Sequence, residues 1–252
     1  MAMKPLPQRV ALVTGSSSGI GEGIAVALAE AGVKVVITGR RQDRLDAIVE
    51  RIGQAGGEAH AIAGDVKDEG FARDLVTQTV AQYGAIDILV NSAGTIQKGS
   101  YLDCDTQEWR DTMDLNLFAS LYTSVEALKH MKGYGAGDII QISSTSARRG
   151  AAIFGSYAAS KHALNGMAFT LRQEAGEAGV RVCVIEPGAT TSDMAAQMTD
   201  PGAAAFMEAH TNKDDAMKPE DLGAMVVAIC CLPQRTNVQE LLIRPTSDTA
   251  GF

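Results

Sequence analysis

The feature of this sequence that most constrains its fold is the alternation of short apolar runs with longer amphipathic stretches. Seven runs rich in valine and isoleucine follow one another: VALVT, KVVIT, AHAIA, IDILV, DIIQIS, VRVCVIE and VQELLIR. Helical patterns separate them, at 19–32, 42–55, 68–84, 106–132, 156–178 and 219–231. Because parallel neighbours in a sheet need long crossover connections, this alternation predicts an α/β fold. The runs are apolar nearly throughout, which is typical of a doubly wound, seven-stranded parallel sheet with helices on both faces.

The chain has the length and composition of one domain. It has 252 residues, of which 46% are hydrophobic, and no repeat, charge block or Gly/Ser linker divides it. We therefore expect a single domain over 1–252. The segment 193–217, rich in methionine, alanine and small polar residues, breaks the alternation. It predicts a short mobile helical insertion on the substrate side, a candidate lid, with a plain surface excursion as the alternative.

Charge and composition exclude several kinds of partner. The formal net charge is −8 and the pI is about 5.0, so no basic excess is available to meet the phosphates of nucleic acid or of anionic membranes. The cysteines and histidines lack metal-ligand spacing; they are Cys104, Cys183, Cys230, Cys231, His60, His130, His162 and His210. No apolar run is long enough for a signal sequence or a membrane span. We expect a cytoplasmic protein with reduced thiols, no metal, and a small-molecule or protein partner.

A glycine-rich loop joins the first predicted strand to the first predicted helix in the sequence VTGSSSGIGEG. Its glycines permit positive φ angles and close backbone approach, and the helix N-terminus behind them offers free N–H groups to a pyrophosphate. The spacing Gly-x-x-x-Gly-x-Gly differs from Gly-x-Gly-x-x-Gly, but its place between strand and helix predicts a dinucleotide site in a Rossmann-type fold. The expected contacts are Gly15, Ser17, Ser18, Gly19, Ile20 and Gly21.

The end of the second predicted strand indicates which dinucleotide binds. An acidic residue there would bond the ribose 2′-hydroxyl, whereas a basic residue would accept a 2′-phosphate. This strand ends in Gly39, Arg40 and Arg41, without a carboxylate. Guanidinium groups suit phosphate oxygens, which predicts NADP(H) as the cofactor. The alternative is that one arginine pairs with Asp43 on the helix surface.

The sequence YAASK places Tyr157 and Lys161 about one helical turn apart. An ammonium group favours the ionised form of a neighbouring phenol, so the pKa of Tyr157 would fall toward the range in which it exchanges protons. The alternative is a solvated lysine beside an exposed tyrosine. Upstream, Ser143 and Ser144 end the run GDIIQISS. Strand alternation points these two side chains in opposite directions, so only one of them can face a cleft.

Four motifs occur in a fixed order along the chain: Thr14-Gly15-x-x-x-Gly19-x-Gly21, Asn91-Ser92-Ala93-Gly94, Ser144, and Tyr157-x-x-x-Lys161. Over essentially all of its length the chain therefore resembles the short-chain dehydrogenase/reductase family. The resemblance implies an oxidoreductase that transfers a hydride between NADP(H) and a small alcohol/ketone or aldehyde substrate.

The same resemblance assigns four catalytic residues. Tyr157 is the general acid or base, and Lys161 lowers its pKa and binds the nicotinamide ribose. Ser144, which lies thirteen residues before Tyr157 as is usual in the family, orients the carbonyl; Ser143 is then a packing residue. Asn116 supports a water-linked proton path to the lysine, with a solvent-facing helix amide as the alternative.

Further cofactor contacts are implied by matching positions. Those on the adenosine side are Asp65, Val66, Asn91, Ala93 and Gly94, and those near the carboxamide are Pro187, Gly188, Thr190 and Ser192. Two positions depart from the family pattern. Ser92 stands where a second asparagine is usual, and Ser192 stands where threonine is usual.

The C-terminal sequence NVQELLIRPTSDTAGF indicates a subgroup. It is similar to NADP-dependent members that act on hydroxy acids, serine-like amino alcohols or small aldehydes, including clavulanate-type dehydrogenases. A 3-oxoacyl-carrier-protein reductase is the alternative, supported by a possible basic patch of Lys129, Lys132 and Arg172, which are otherwise ordinary solvated residues. The rival from another class is a non-catalytic NADP-binding regulator.

The substrate pocket is expected from three segments, at 95–99, 146–154 and 189–210. Arg148 and Arg149 could clamp a substrate carboxylate there, or could simply be solvated at the rim. The resemblance also implies a homotetramer or a dimer, formed through helices 106–132 and 156–178.

Overall fold

The computed structural model describes residues 3–97, 101–103, 105–194, 198, 200–210 and 215–249. Each predicted apolar run contains a strand: β1 (Val10–Val13), β2 (Lys34–Gly39), β3 (Ala59–Ala63), β4 (Ile88–Asn91), β5 (Gly137–Ile142), β6 (Val180–Pro187) and β7 (Glu240–Ile243). They form one sheet in the order β3-β2-β1-β4-β5-β6-β7, and every neighbouring pair is parallel. The predicted Rossmann-type doubly wound sheet is therefore confirmed.

Helices follow the strands as the amphipathic patterns predict. They are α1 (Gly19–Glu30), α2 (Gln42–Gln54), α3 (Glu69–Tyr83), α4 (Thr106–Met113), α5 (Ala119–Tyr134), α6 (Gly155–Glu177), α7 (Pro201–His210) and α8 (Pro219–Cys231). The ends of α3 show the local causes. Asp68 accepts a hydrogen bond from the backbone N–H of Phe71, and Gly84 ends the helix with a φ of 81°.

The helix predicted over 106–132 is not one continuous α-helix. Asp114–Phe118 forms a π-helical segment between α4 and α5. Such a segment widens the turn and shifts the side chains that follow it, so a simple 3.6-residue pattern does not reveal it. Asn116 lies inside this segment, which fixes the direction of its amide.

Different helices cover the two faces of the sheet, as alternation along β1 illustrates. Ala11 and Val13 pack into a core with α1, α2 and α8. Leu12, between them, packs on the opposite face with α3, α5 and α6. Burial of each large aliphatic side chain contributes about 1.5–3 kcal/mol, so both faces anchor the sheet.

The topology creates a crevice at one end of the sheet. β1 lies between β2 and β4, so the chain proceeds from β1 in one direction and later returns to its other side. Ligands of open α/β sheets bind outside the carboxyl ends of the strands at this reversal. The loops after β1 and β4 are therefore the expected walls of a site.

The segment 193–217 leaves the sheet after β6 and contains α7, which confirms its predicted helical character. A parallel bridge joins Thr190, three residues before the segment, to Met217 at its end. The Met217 N–H donates to Ala189 O at 3.0 Å, and the Thr191 N–H donates to Met217 O at 2.8 Å. Residues 195–197, 199 and 211–214 of the segment lie outside the described residues, and its mobility stays a prediction.

Candidate active site

A cleft of about 340 Å³ opens at the carboxyl ends of the strands. Its walls come from the loops after the first six strands, β1 to β6, and from the start of α6, and it is large enough for an organic ligand. The predicted site residues on these walls are Gly15, Ser17, Ser18, Gly19, Ile20, Gly21, Arg40, Arg41, Asp65, Val66, Ala93, Gly94, Ser144, Tyr157, Lys161, Pro187, Gly188, Thr190 and Ser192. The structure thus brings nearly all of the separate sequence motifs into one cleft.

The backbone around the glycine loop is packed so closely that two of its glycines have no space for a side chain. A Cβ atom at Gly15 would lie 2.6 Å from Ala93 Cα, and one at Gly21 would lie 2.5 Å from Gly15 O. Neither position tolerates a side chain without displacing the backbone. Thr14 Oγ1 accepts hydrogen bonds from the N–H groups of Ser92 and Ala93, both at 3.1 Å, and joins the loops after β1 and β4. This is the cradle that a dinucleotide needs.

Arg41 lies against the glycine loop. Its Nη2 donates to Ser17 Oγ at 3.0 Å and to Ser18 Oγ at 2.9 Å. The Arg41 guanidinium therefore binds the glycine loop and does not form a surface ion pair with Asp43. Arg40, in contrast, is exposed at the rim of the cleft. A Cβ at Gly39 would come within 3.1 Å of Ser17, so the glycine lets the glycine loop lie close to the end of β2.

Tyr157 and Lys161 share a buried face of α6. Lys161 Nζ donates to Ile142 O at 2.9 Å and lies 5.7 Å from the centre of the Tyr157 ring. Burial raises the pKa of Tyr157, although the neighbouring Ser144 hydroxyl acts in the opposite direction. Burial also lowers the pKa of Lys161 to about 8. The surface alternative is therefore wrong, and the expected fall in the tyrosine pKa is not seen because desolvation of the phenol dominates.

The two serines after β5 face different partners, as strand alternation predicts. Ser143 Oγ donates to Asn165 Oδ1 of α6 at 2.7 Å. The Ser144 hydroxyl lies close enough to the Tyr157 phenol to lower its pKa, and its Oγ accepts from the backbone N–H of Ser146 at 3.0 Å. Ser144 is thus the serine that meets the tyrosine.

Asn116 is fully buried, so the solvent-facing alternative is wrong. Its Nδ2 donates to Thr95 O and to Ser160 Oγ, each at 2.9 Å, and its Oδ1 accepts from the Thr95 N–H at 2.8 Å. These bonds tie the loop after β4 to α6 next to the tyrosine and lysine. Ser160 is a member of this network that the sequence reasoning did not single out.

Comparison with known proteins decides the family, since the profile described as short chain dehydrogenase matches residues 9–202. The chain belongs to the short-chain dehydrogenase family. Because the profile covers most of the chain, the protein is an oxidoreductase of that family. An uncharacterized oxidoreductase of Staphylococcus saprophyticus is 35% identical to this short-chain dehydrogenase over 246 residues, which cover 96% of this chain and 100% of that protein.

Two solved structures share the fold of this short-chain dehydrogenase over nearly its whole length. A metagenomic short-chain oxidoreductase in complex with NADP has a TM-score of 0.81 and 30% identity, covering 96% of this chain and 98% of the other. A 7α-hydroxysteroid dehydrogenase, complexed with NADH and 7-oxo glycochenodeoxycholic acid, has a TM-score of 0.83 and 29% identity, covering 93% and 92%.

One predicted cofactor contact of this short-chain dehydrogenase needs correction. Asn91 does not line the cleft; its Nδ2 donates to Ser124 Oγ at 3.0 Å, and its Oδ1 accepts from Thr123 Oγ1 at 2.7 Å. The residue is the last of β4, and alternation along that strand turns its side chain toward α5. Asn91 therefore anchors a helix behind the cleft, and the backbone of Ser92 to Gly94 forms the wall.

Three of the basic residues proposed to meet acidic groups, Arg148, Lys129 and Arg172, form contacts within this short-chain dehydrogenase. Arg148 forms ion pairs with Glu186 and Glu240 and does not line the cleft. Lys129 Nζ donates to Glu126 Oε2 at 2.8 Å. Arg172 donates to the carbonyl oxygens of Val182 and Gln239. These contacts weaken both the carboxylate clamp and the basic patch.

Two negative findings apply to the described part of the chain. No group of three His, Cys, Asp or Glu side chains there could hold a metal ion. None of the helices described is both long and apolar enough to cross a bilayer. Cys183, Cys230 and Cys231 are free thiols, and Cys104 lies outside the described residues.

Proposed function

We propose that this short-chain dehydrogenase transfers a hydride between NADP(H) and a small alcohol/ketone or aldehyde substrate. The observation that carries the proposal is that the buried Tyr157, Ser144 and Lys161 line the same cleft as the glycine loop. A proton donor and a second hydroxyl together can hold one carbonyl oxygen, which is the arrangement that carbonyl reduction needs.

The residues of the chain would divide the work as follows. The bound nicotinamide would supply or accept the hydride. Tyr157 keeps its proton at neutral pH because burial raises its pKa, and it would donate that proton to the carbonyl oxygen during reduction. Ser144 would hold the same oxygen. Lys161 retains much of its charge at neutral pH, since its pKa is about 8, and would stabilise the tyrosinate that is left.

The residues around Arg41 support NADP(H) over NAD(H). Its guanidinium lies at Ser17 and Ser18, and β2 ends in a glycine rather than in a carboxylate. One similar structure contains NADP and another contains NADH, so the neighbours alone do not choose between them. The glycine loop would cradle the pyrophosphate, and Arg41 would bind the 2′-phosphate.

Oxidation of NADPH over a panel of ketones and aldehydes tests the proposal. Tyr157→Phe should reduce kcat/KM by about 10²–10⁴-fold, the usual contribution of a general acid. Tyr134→Phe, at an exposed tyrosine, is the matched control and should keep full activity. Turnover unaffected by Tyr157→Phe would refute the tyrosine mechanism. Tight NADPH binding without turnover of any carbonyl would favour the non-catalytic regulator.

We further propose that the protein is a cytoplasmic homotetramer or dimer that assembles through α5 and α6. Phe118, at the start of this region, is 40% exposed, and Phe169 on α6 is 58% exposed. Aromatic side chains left open on neighbouring helices suit a second copy of the chain. Phe169→Asp should lower the mass measured by light scattering, whereas an unchanged mass would contradict this interface.

A further inference from the structure

The end of the cleft above Tyr157 is an apolar chamber. Ile96, Phe154 and Ala203 are buried there, and Met194 and Met207 pack against them. Four of these five, all but Ala203, also line the cleft itself. Methionine side chains are unbranched and polarizable, so they adapt to apolar groups of different shapes. This chamber is formed by the loops after β4 and β5 and by the excursion after β6.

The charges around the chamber are unfavourable for an anion. In the part of the chain that the structure describes, the charged residue lining this end is Asp193, which is exposed. Lys161 lines the same cleft, but outside the chamber, and its Nζ donates to Ile142 O. Arg40 and Arg41 lie at the other end of the cleft, beside the glycine loop. A carboxylate in the chamber would meet a like charge and find no described cation within it.

Arg148, in the loop after β5, does not change this balance of charge. Arg148 Nε donates to both oxygens of Glu186, at 3.0 Å and 2.9 Å, and Nη2 donates to Glu240 Oε2. Glu186 has no exposed surface, so withdrawal of Arg148 would leave a buried carboxylate without its cation. Arg148 is therefore held away from any substrate.

Resting on the proposed function, we infer that the substrate is a neutral, apolar carbonyl compound or alcohol, and that the chamber discriminates against carboxylates. This inference departs from the hydroxy-acid subgroup that the C-terminal sequence resembles. The hydride and proton steps are unchanged by it; the chamber selects the group attached to the carbonyl carbon.

Three aryl ketones of one shape provide the test: para-methylacetophenone, methyl 4-acetylbenzoate and 4-acetylbenzoate. Binding is measured by the rise in Tm of the NADPH complex, and turnover by NADPH oxidation. We expect the ester and the methyl compound to bind, and the carboxylate to bind at least about tenfold more weakly, since its charge would lose water without gaining a partner. Asp193→Asn removes the negative charge and should bring the affinity for the carboxylate closer to that for the ester. Met194→Lys adds a positive charge and should bring the two affinities closer still. Leu102→Lys, which adds a charge at a side chain outside the cleft lining, is the control for Met194→Lys.

The two readouts separate this inference from the proposed function. Selective binding of the neutral ketones without NADPH oxidation would refute the proposed function and support the inference. Binding of the carboxylate as tight as that of the ester would overturn the inference, whether or not turnover occurs. Failure of all three ketones to bind would also count against an apolar chamber.

Discussion

Arg148 Nε lies 3.0 Å and 2.9 Å from the two carboxylate oxygens of Glu186, a side chain with no exposed surface. Asn165 Nδ2 donates to Glu186 Oε1 at 2.5 Å, and Ser143 Oγ donates to Asn165 Oδ1 at 2.7 Å. These bonds connect the loop after β5, helix α6 and the end of β6. The same three segments carry the serine, the tyrosine and the proline–glycine turn of the cleft, so we infer that Glu186 is a positioning residue.

Glu186→Gln keeps the shape of the side chain and removes its charge. We expect kcat to fall about tenfold or more, because small displacements of reacting groups are costly, while KM for NADPH changes little. Loss of a buried charged hydrogen bond should also cost about 1–3 kcal/mol of stability. Steady-state kinetics and thermal unfolding measure the two effects. Glu240→Gln removes the more exposed partner of Arg148 and is the control. If the Glu186→Gln protein is destabilised but keeps its kcat, Glu186 has only a structural role and the positioning role is contradicted.

Arg41→Ala should weaken NADPH binding by about 10–100-fold and NADH binding much less, because only NADPH carries the 2′-phosphate. The effect of Arg40→Ala should be smaller, since that side chain is exposed at the rim. Fluorescence titration of both cofactors gives the two dissociation constants. Arg44→Ala, on the exposed surface of α2, is the matched control. Equal losses for NADPH and NADH in the Arg40→Ala, Arg41→Ala double variant would contradict the phosphate assignment.

Lys161 should make stability depend on pH above neutrality. Burial lowers its pKa to about 8 from an ordinary value of 10.5. Below pH 8 the lysine is charged in both states, so its burial opposes folding in full. Between pH 8 and 10.5 the unfolded chain binds a proton that the folded chain has lost, so this cost declines as pH rises.

Lys161→Met removes that cost along with the proposed activity. The gain in its free energy of unfolding over the original protein should be largest near pH 7, on the order of 1–3 kcal/mol. Loss of the hydrogen bond to Ile142 O reduces this gain by an amount that does not depend on pH. The difference should shrink toward pH 10.5. Urea unfolding at several pH values measures it, with the exposed Lys132→Met as control. A difference that stays constant across this range would show that the lysine keeps its ordinary pKa.

Asp138→Asn should strongly destabilise the protein without altering the chemistry of folded molecules. Arg181 donates to both oxygens of Asp138, from Nε at 2.6 Å and from Nη2 at 2.9 Å, and Arg9 Nη1 lies 3.2 Å from Oδ2. All three side chains are buried at the amino ends of their strands, opposite the cleft. Removing the carboxylate charge should cost about 3–5 kcal/mol in urea unfolding.

The exposed ion pair of Lys34 and Glu58 provides the comparison for the buried ion pairs of Asp138. Both side chains are about half exposed, at 48% and 54%, so Glu58→Gln should change stability by less than about 1 kcal/mol. Similar losses for Glu58→Gln and Asp138→Asn would mean that burial does not govern these ion pairs.

The sheet and most of the cleft could be predicted because their residues carry local signals. Gly15 and Gly21 are glycines because backbone atoms lie where a side chain would be, and doubly buried strands are apolar throughout. Contacts between distant segments carry no such signal. The partnership of Arg148 with Glu186 depends on how the loop after β5 crosses β6. Alternation along β4 does predict that Asn91 points away from the cleft, but its hydrogen bonds to Ser124 and Thr123 depend on the helix packed over that strand. The π-helical turn at Asn116 is likewise set by tertiary contacts.

The bridge between Thr190 and Met217 gives the excursion after β6 the character of an exchangeable module. Its two ends are joined at the rim of the sheet, and Ser192, close to its start, lies against Gly19 of the glycine loop. Substrate preference can therefore diverge by replacement of the part of the segment that follows Ser192, while the contact with the glycine loop is retained. A chimaera spliced between Asp193 and Met217 is the natural unit for redesigning the substrate preference of this short-chain dehydrogenase.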